Sequence, residues 1–229
     1  MGSGGVGSAV APIAARRDFY EHIVFADRDE ARARSVVDRY DGGTGRFSAA
    51  RVDASDAASV AVVARNNRCD AILNAVDPRF VPAVFRGAFE VGATYVDMAM
   101  SLSEPHPERP HEFVGKKLGD DQFAVAREWE ERGLLALVGC GVEPGLSDVF
   151  ARYAADHLFE TVDQVGVRDG SNITVAGYDF APSFSIWTTI EECLNPPVIW
   201  ERDRGWFTTA PFSEPETFAS PRGSGPSSA

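Results

Sequence analysis

No run of residues in this chain is long and apolar enough to cross a bilayer as a helix, and no basic-then-apolar signal segment opens it. A membrane-bound protein is therefore not expected. Basic charge is also scarce: 22 Lys and Arg stand against 34 Asp and Glu, a formal net charge of −12. That balance argues against a nucleic-acid partner, because phosphate backbones need a basic face. Cysteine is sparse too. Cys69, Cys140 and Cys193 are far apart with no C-x-x-C, which fits a reduced, cytoplasmic protein. His106 and His111, with Glu108 and Glu112, fall at no helical or strand spacing that would converge them, so no metal is expected. A Tyr-x-x-x-Lys pair, usual in short-chain reductases and epimerases, does not occur.

Glycine, in contrast, is concentrated where it is informative. The chain opens Met1-Gly2-Ser3-Gly4-Gly5-Val6-Gly7, with glycines 2, 4 and 7 in the spacing G-x-G-x-x-G. Such a loop joins a buried strand to a helix whose N-terminus holds a pyrophosphate. Ala9, Val10, Ile13 and Ala14 supply an apolar face for that helix. His22–Ala26 reads as a buried strand, and Asp27 ends it twenty residues after Gly7. A carboxylate at that distance accepts the ribose hydroxyls of the adenosine half. Asp27 thus favours NAD, while the neighbouring Arg28 leaves NADP open as a partner for its 2′-phosphate. The whole loop, Gly2, Ser3, Gly4, Gly5, Val6 and Gly7, is the candidate cofactor cradle. No strand precedes it.

Beyond residue 27, strand and helix alternate. Strands are expected near 22–26, 47–52, 70–76, 93–98 and 134–139, with helices over 30–40, 57–66, 80–91 and 122–132 between them. Repeated βα units require a parallel sheet with helices on both faces, and ligands bind beyond the carboxyl ends of its strands. Those ends carry Asp27, Asp53, the turn Asn74-Ala75-Val76, Asp97 and Gly139-Cys140-Gly141. Asp53, Asn74, Ala75 and Val76 join the cofactor candidates. With 44% hydrophobic residues the chain can build such a core.

Residues 101–121 form a long Pro- and charge-rich insertion, expected to be an exposed loop. After Gly141 the texture changes. The loop Gly141–Asp148 leads to a helix over 149–158. Strands are expected at 162–168 and 173–175, a helix at 183–193 and a hairpin at 198–207. The organisation read from the chain is a dinucleotide-binding domain over 1–140, a partial α+β substrate domain over 141–218 and a disordered tail over 219–229, which lacks apolar periodicity.

These residues resemble the saccharopine dehydrogenase-like oxidoreductases. The resemblance runs from Gly2 to about Phe218. It rests on the opening glycine loop, Ile72-Leu73-Asn74-Ala75-Val76, Tyr95-Val96-Asp97, the Glu143-Pro144-Gly145-Leu146-Ser147 loop and Ser183–Trp187. It implies a Rossmann-type doubly wound parallel sheet followed by a substrate domain. It also implies NAD(P)-dependent formation or oxidation of a secondary amine joining an amino acid to a carbonyl compound, as in lysine or polyamine metabolism. For such chemistry Asp97 and Glu143 are the candidates to relay a proton or steady an iminium. Substrate carboxylates need Arg or Lys, for which Lys116, Arg168 and Arg202 are the candidates. An amino-acid-type small-molecule substrate and a homodimer through the second domain are the expected partners. Members of the family are longer, so the chain reads as truncated at both ends, without the central first strand, and is expected to be inactive as written. The rival readings are a non-catalytic dinucleotide sensor and another Rossmann reductase or epimerase.

Overall fold

The computed structural model describes residues 1–168, 174–179 and 185–217. Five short segments pair in parallel, as the βα alternation requires. Ile23–Asp27 (β1) lies beside Phe47–Arg51 (β2), with Ile23 opposite Phe47 and Asp27 opposite Arg51. Ala71–Asn74 (β3) lies beside Thr94–Asp97 (β4), which lies beside Ala136–Leu137 (β5). The pairs form two separate sheets, β1-β2 and β3-β4-β5. Among the described residues no strand lies in space between β1 and β3. Instead Met1 and Gly2 bridge the two sheets. Gly2 N–H donates to Ala26 O at 2.8 Å, Ala75 N–H donates to Met1 O at 2.9 Å, and the Met1 ammonium donates to Leu73 O at 2.8 Å.

Helices cover both faces because neighbouring strand residues point opposite ways. Phe25 packs with Phe47 against Ala11 and Ala14 of Gly5–Ala14 (α1) and Ala33 and Val36 of Glu30–Tyr40 (α2). Ala26, Ile72 and Tyr95 face the other way. They meet Val60 and Ala64 of Ala57–Asn66 (α3), Val84, Phe85 and Ala88 of Val81–Val91 (α4), and Trp129. Asp29 and Asp56 cap α2 and α3, each accepting the N–H two residues on at 3.0 Å. Gly92, at φ 74°, ends α4.

Several boundaries differ from expectation. The helix expected over 122–132 is two short ones, Asp120–Ala124 (α5) and Ala126–Glu131 (α6), broken at Val125, whose ψ of 12° is not helical. The break turns Phe123 out to solvent while Trp129 stays in the core. The last parallel strand is only two residues long. Val162–Arg168 forms no strand, and the partner expected at 173–175 lies partly outside the described residues. The expected tail at 219–229 lies outside them entirely.

The chain divides into two compact units. One comprises Met1–Leu102 and Leu118–Val162, and so includes the helix Leu146–His157 (α7). The other takes Ser103–Lys117 and the described residues beyond Val162. The division therefore falls after 162 rather than after 140, and the 101–121 insertion belongs largely to the second unit. There Thr208 Oγ1 donates to Pro110 O at 2.8 Å, fastening the insertion to the antiparallel hairpin Val198–Glu201 (β6) and Gly205–Thr208 (β7). Ile186–Leu194 (α8) completes this unit, capped by Ser185. Among the described residues no helix is long and apolar enough to cross a membrane.

Candidate functional site

The glycine loop has the sterics its spacing requires. A Cβ on Gly2, at φ 83°, would stand 2.6 Å from Ala75 O. A Cβ on Gly7 would stand 1.7 Å from Gly2 O. Both positions therefore exclude any side chain: the first fastens the loop to the β3 turn, the second lets α1 start directly beneath it. Gly4 and Gly5 differ, since nothing lies within 4 Å of a Cβ on either. They leave open space over the N-terminus of α1. That end has no side-chain cap and no acidic residue in its first turn, so its N–H groups and dipole face outward uncompensated. The Ser3 hydroxyl is buried with no partner in the protein. An open glycine face, a bare helix N-terminus and an orphaned hydroxyl fit a bound pyrophosphate. A dinucleotide would therefore lie along residues 2–7.

Asp27 stands at the end of β1 beside this loop. Its Oδ2 accepts Ser3 N–H at 2.7 Å and its Oδ1 accepts Asp29 N–H at 3.0 Å. The two bonds fix the carboxylate while each oxygen keeps a lone pair for a ribose hydroxyl. Arg28 is exposed. Asp53, at the end of β2, is held below the usual carboxylate range by the Ser55 hydroxyl and N–H, with a further pull from Arg28 and Arg51.

The turn Asn74-Ala75-Val76 continues the edge on the other side of the loop. Asn74 is buried; its Oδ1 accepts Val76 N–H at 3.2 Å and its Nδ2 donates to the Tyr95 hydroxyl at 2.9 Å. Asp97 follows at the end of β4, 1% exposed. Its Oδ1 accepts Gly139 N–H at 2.8 Å and Met100 N–H at 3.2 Å. Its Oδ2 accepts the Tyr95 O–H at 2.9 Å and Gln122 Nε2 at 2.8 Å. A carboxylate so enclosed touches no substrate, so the proton relay expected of Asp97 is not what its geometry provides; it holds loops instead. Glu143 is different: it lies exposed in the 141–145 loop.

Residues 1–137 match the saccharopine dehydrogenase NADP binding domain. The chain belongs to that family. It is 27% identical over 210 residues to carboxynorspermidine synthase of Vibrio cholerae, covering 88% of this chain and 49% of that protein. It is likewise 27% identical over 213 residues to carboxyaminopropylagmatine dehydrogenase of Synechocystis, covering 93% and 50%. The chain thus spans about half the length of the curated relatives it matches. Among solved structures, the apo saccharopine dehydrogenase (L-Glu forming) of Saccharomyces cerevisiae aligns with a TM-score of 0.51 at 20% identity, over 69% of this chain and 30% of that one. That likeness shows a shared Rossmann fold.

In this family member the three expected carboxylate binders lie in the second unit. Lys116 Nζ pairs with Glu104 at 2.5 Å, and Arg168 grips Glu216 with two bonds at 2.5 and 2.9 Å. Arg202 is exposed in the β6–β7 turn. Lys116 and Arg168 would have to exchange these carboxylates for a substrate's. Gln122 was missed in the sequence. The available signal was a polar residue on the apolar stripe of a helix, and it is buried at 4% exposure. No group of three or more His, Cys, Asp or Glu among the described residues is placed to hold a metal.

Proposed function

We propose that this chain carries the dinucleotide site of an NAD(P)-dependent oxidoreductase that joins an amine to a carbonyl compound, or parts them, acting on carboxylated amines of the polyamine or amino-acid type. The observation that carries the reading is the contrast within the glycine loop: Gly2 and Gly7 have no room for a Cβ, whereas Gly4 has open space above a bare helix N-terminus. The family match and the named activities of the two relatives support the reaction class. A bound NAD(P)H would supply the hydride that reduces an imine carbon, leaving a secondary amine once the nitrogen is protonated.

The protein's part is orientation. Residues 2–7 bind the pyrophosphate, Asp27 accepts the ribose hydroxyls, and Asn74–Val76 borders the nicotinamide half. Glu143, exposed in its loop, is the candidate for moving a proton at the imine nitrogen. Lys116, Arg168 and Arg202 are the proposed carboxylate binders, and a second copy of the chain is the proposed partner of the second unit. NAD(H) is favoured over NADP(H), because a 2′-phosphate would meet the Asp27 carboxylate at the end of β1. The test is incubation with NADH or NADPH, an amino-bearing carbonyl acceptor and a diamine, with product mass read by mass spectrometry. A secondary amine formed as reduced cofactor disappears supports the reading. Dinucleotide binding without turnover would confine the reading to the cofactor site of this chain, and absence of any saturable dinucleotide binding would overturn it.

A further inference from the structure

We propose that Tyr95 and Gln122 are positioning residues for the nicotinamide half of the site, acting through the buried Asp97 carboxylate. The inference rests on the dinucleotide reading above and extends it to side chains that never reach the ligand.

Asp97 takes one bond from each of four places. Tyr95 donates from its own strand, Met100 from the loop that follows, Gly139 from the end of β5, and Gln122 from α5. Its backbone carbonyl also accepts Cys140 N–H at 2.7 Å. The network extends at both ends. Tyr95 accepts from Asn74, whose own carbonyl holds Val76 N–H; Gln122 Oε1 accepts Ser101 N–H at 2.8 Å. One connected set of bonds thus ties the C-terminal ends of β3, β4 and β5 together. These are the ends beside the glycine loop, on the side away from Asp27, where the half of the ligand distal to the adenosine falls.

The network also holds an unfavourable backbone. Met100 has φ 60°, a left-handed conformation rare for a side-chain-bearing residue. Its side chain wedges between Gly139 and Gly119: a Cβ on Gly139 would stand 2.3 Å from Met100 Cε, and one on Gly119 2.9 Å from its Sδ. The bond from Met100 N–H to Asp97 secures that turn. A buried carboxylate is not the cheapest way to fill a core, since an apolar group of similar size often serves stability as well. Here the charge fixes several loop N–H groups at once. Burial, with a smaller push from Asp97, raises the Tyr95 hydroxyl above its ordinary range, which suits it as donor to the carboxylate.

The test compares two ligands on the full 229-residue chain: NADH, which needs both halves of the site, and ADP-ribose, which needs only the glycine loop and Asp27. Tyr95→Phe, Gln122→Leu and Gln122→Glu are measured by calorimetry, each beside a circular-dichroism melt. Tyr95→Phe and Gln122→Leu are expected to weaken NADH about tenfold, as loss of one bond to a buried charge implies, while ADP-ribose changes less than about twofold. Gln122→Glu replaces the Nε2 donor with a like charge facing Asp97, so it is expected to weaken NADH at least as much as Gln122→Leu, again with little change for ADP-ribose. Equal changes for the two ligands, or none for either, in variants that melt cooperatively would overturn the inference. A wild-type chain that binds neither ligand would instead overturn the dinucleotide reading, and this one with it.

Discussion

The carbonyl oxygen of Gly2 stands 1.7 Å from where a Cβ on Gly7 would sit, while a Cβ on Gly4 meets nothing within 4 Å. The same motif therefore contains a structural glycine and a ligand-facing one. Gly7→Ala should force the loop off α1 and lower stability by about 1–3 kcal/mol, the usual cost of overpacking. Gly4→Ala should leave the melting temperature within about 2 °C, as surface changes do, yet abolish dinucleotide binding by crowding the phosphates. Paired thermal melts and titrations distinguish them; equal destabilisation by both would refute the division of roles.

Asp27 is the proposed determinant of cofactor preference. Its carboxylate is fixed by Ser3 and Asp29 N–H groups at 2.7 and 3.0 Å. Asp27→Ser should relieve repulsion of a 2′-phosphate and shift the NADPH-to-NADH affinity ratio about tenfold or more toward NADPH, as loss of a charge contact implies. Calorimetry on the wild-type chain should show NADH the tighter ligand. NADPH binding more tightly to the wild type would mean that Arg28 outweighs Asp27.

The break between α5 and α6 makes a sharp stability contrast. Trp129 is 4% exposed and stacks near Phe85, with ring centroids 4.7 Å apart, whereas Phe123 is 57% exposed. Trp129→Ala should cost about 3–5 kcal/mol. Phe123→Ala should change stability by less than about 0.5 kcal/mol. Urea denaturation reads both.

Three carboxylates should titrate low. Asp41 is held down chiefly by Gly45 N–H with help from the Thr44 hydroxyl, Asp53 by the Ser55 hydroxyl and N–H, and Asp77 by its bonds with Arg79. These bonds favour the charged form and lower each carboxyl from its unfolded value near 3.8. Their stabilisation is thus present above that pH and is lost as pH falls through the lower folded values. Carboxyl-carbon NMR titration should show all three midpoints below 3.8. Thr44→Val should raise the Asp41 midpoint only part of the way, because Gly45 N–H remains.

Much of this was legible in the residues, and the reasons are local. Strand cores and the glycine loop follow from short continuous apolar runs bounded by polar residues and from spacings that backbone sterics enforce, so β1 to β4 fell where expected to within a residue or three. Asp27 was singled out by its sequence distance from Gly7, and the structure sets its carboxylate beside the loop, bonded to Ser3 N–H. The network around Asp97 was not. It joins residues 74, 95, 97, 122 and 139, and no spacing rule relates partners brought together by tertiary packing. Burial likewise reversed the expectation for Asp97, since a strand-end aspartate reads alike whether it faces ligand or is enclosed by Tyr95, Gln122, Met100 and Gly139. The break at Val125 left no Gly or Pro to mark it, and the continuous apolar pattern from 122 to 132 concealed it.

The central claim is that residues 2–7 and Asp27 hold a dinucleotide. Titrating the full chain with NADH, followed by reduced-nicotinamide fluorescence and competed with ADP-ribose, tests it most directly. The account predicts saturable binding at one site per chain, displaced fully by ADP-ribose and absent in Gly4→Ala. A cooperatively folded chain that shows no saturable NADH or NADPH binding, or binding that Gly4→Ala leaves intact, would contradict it.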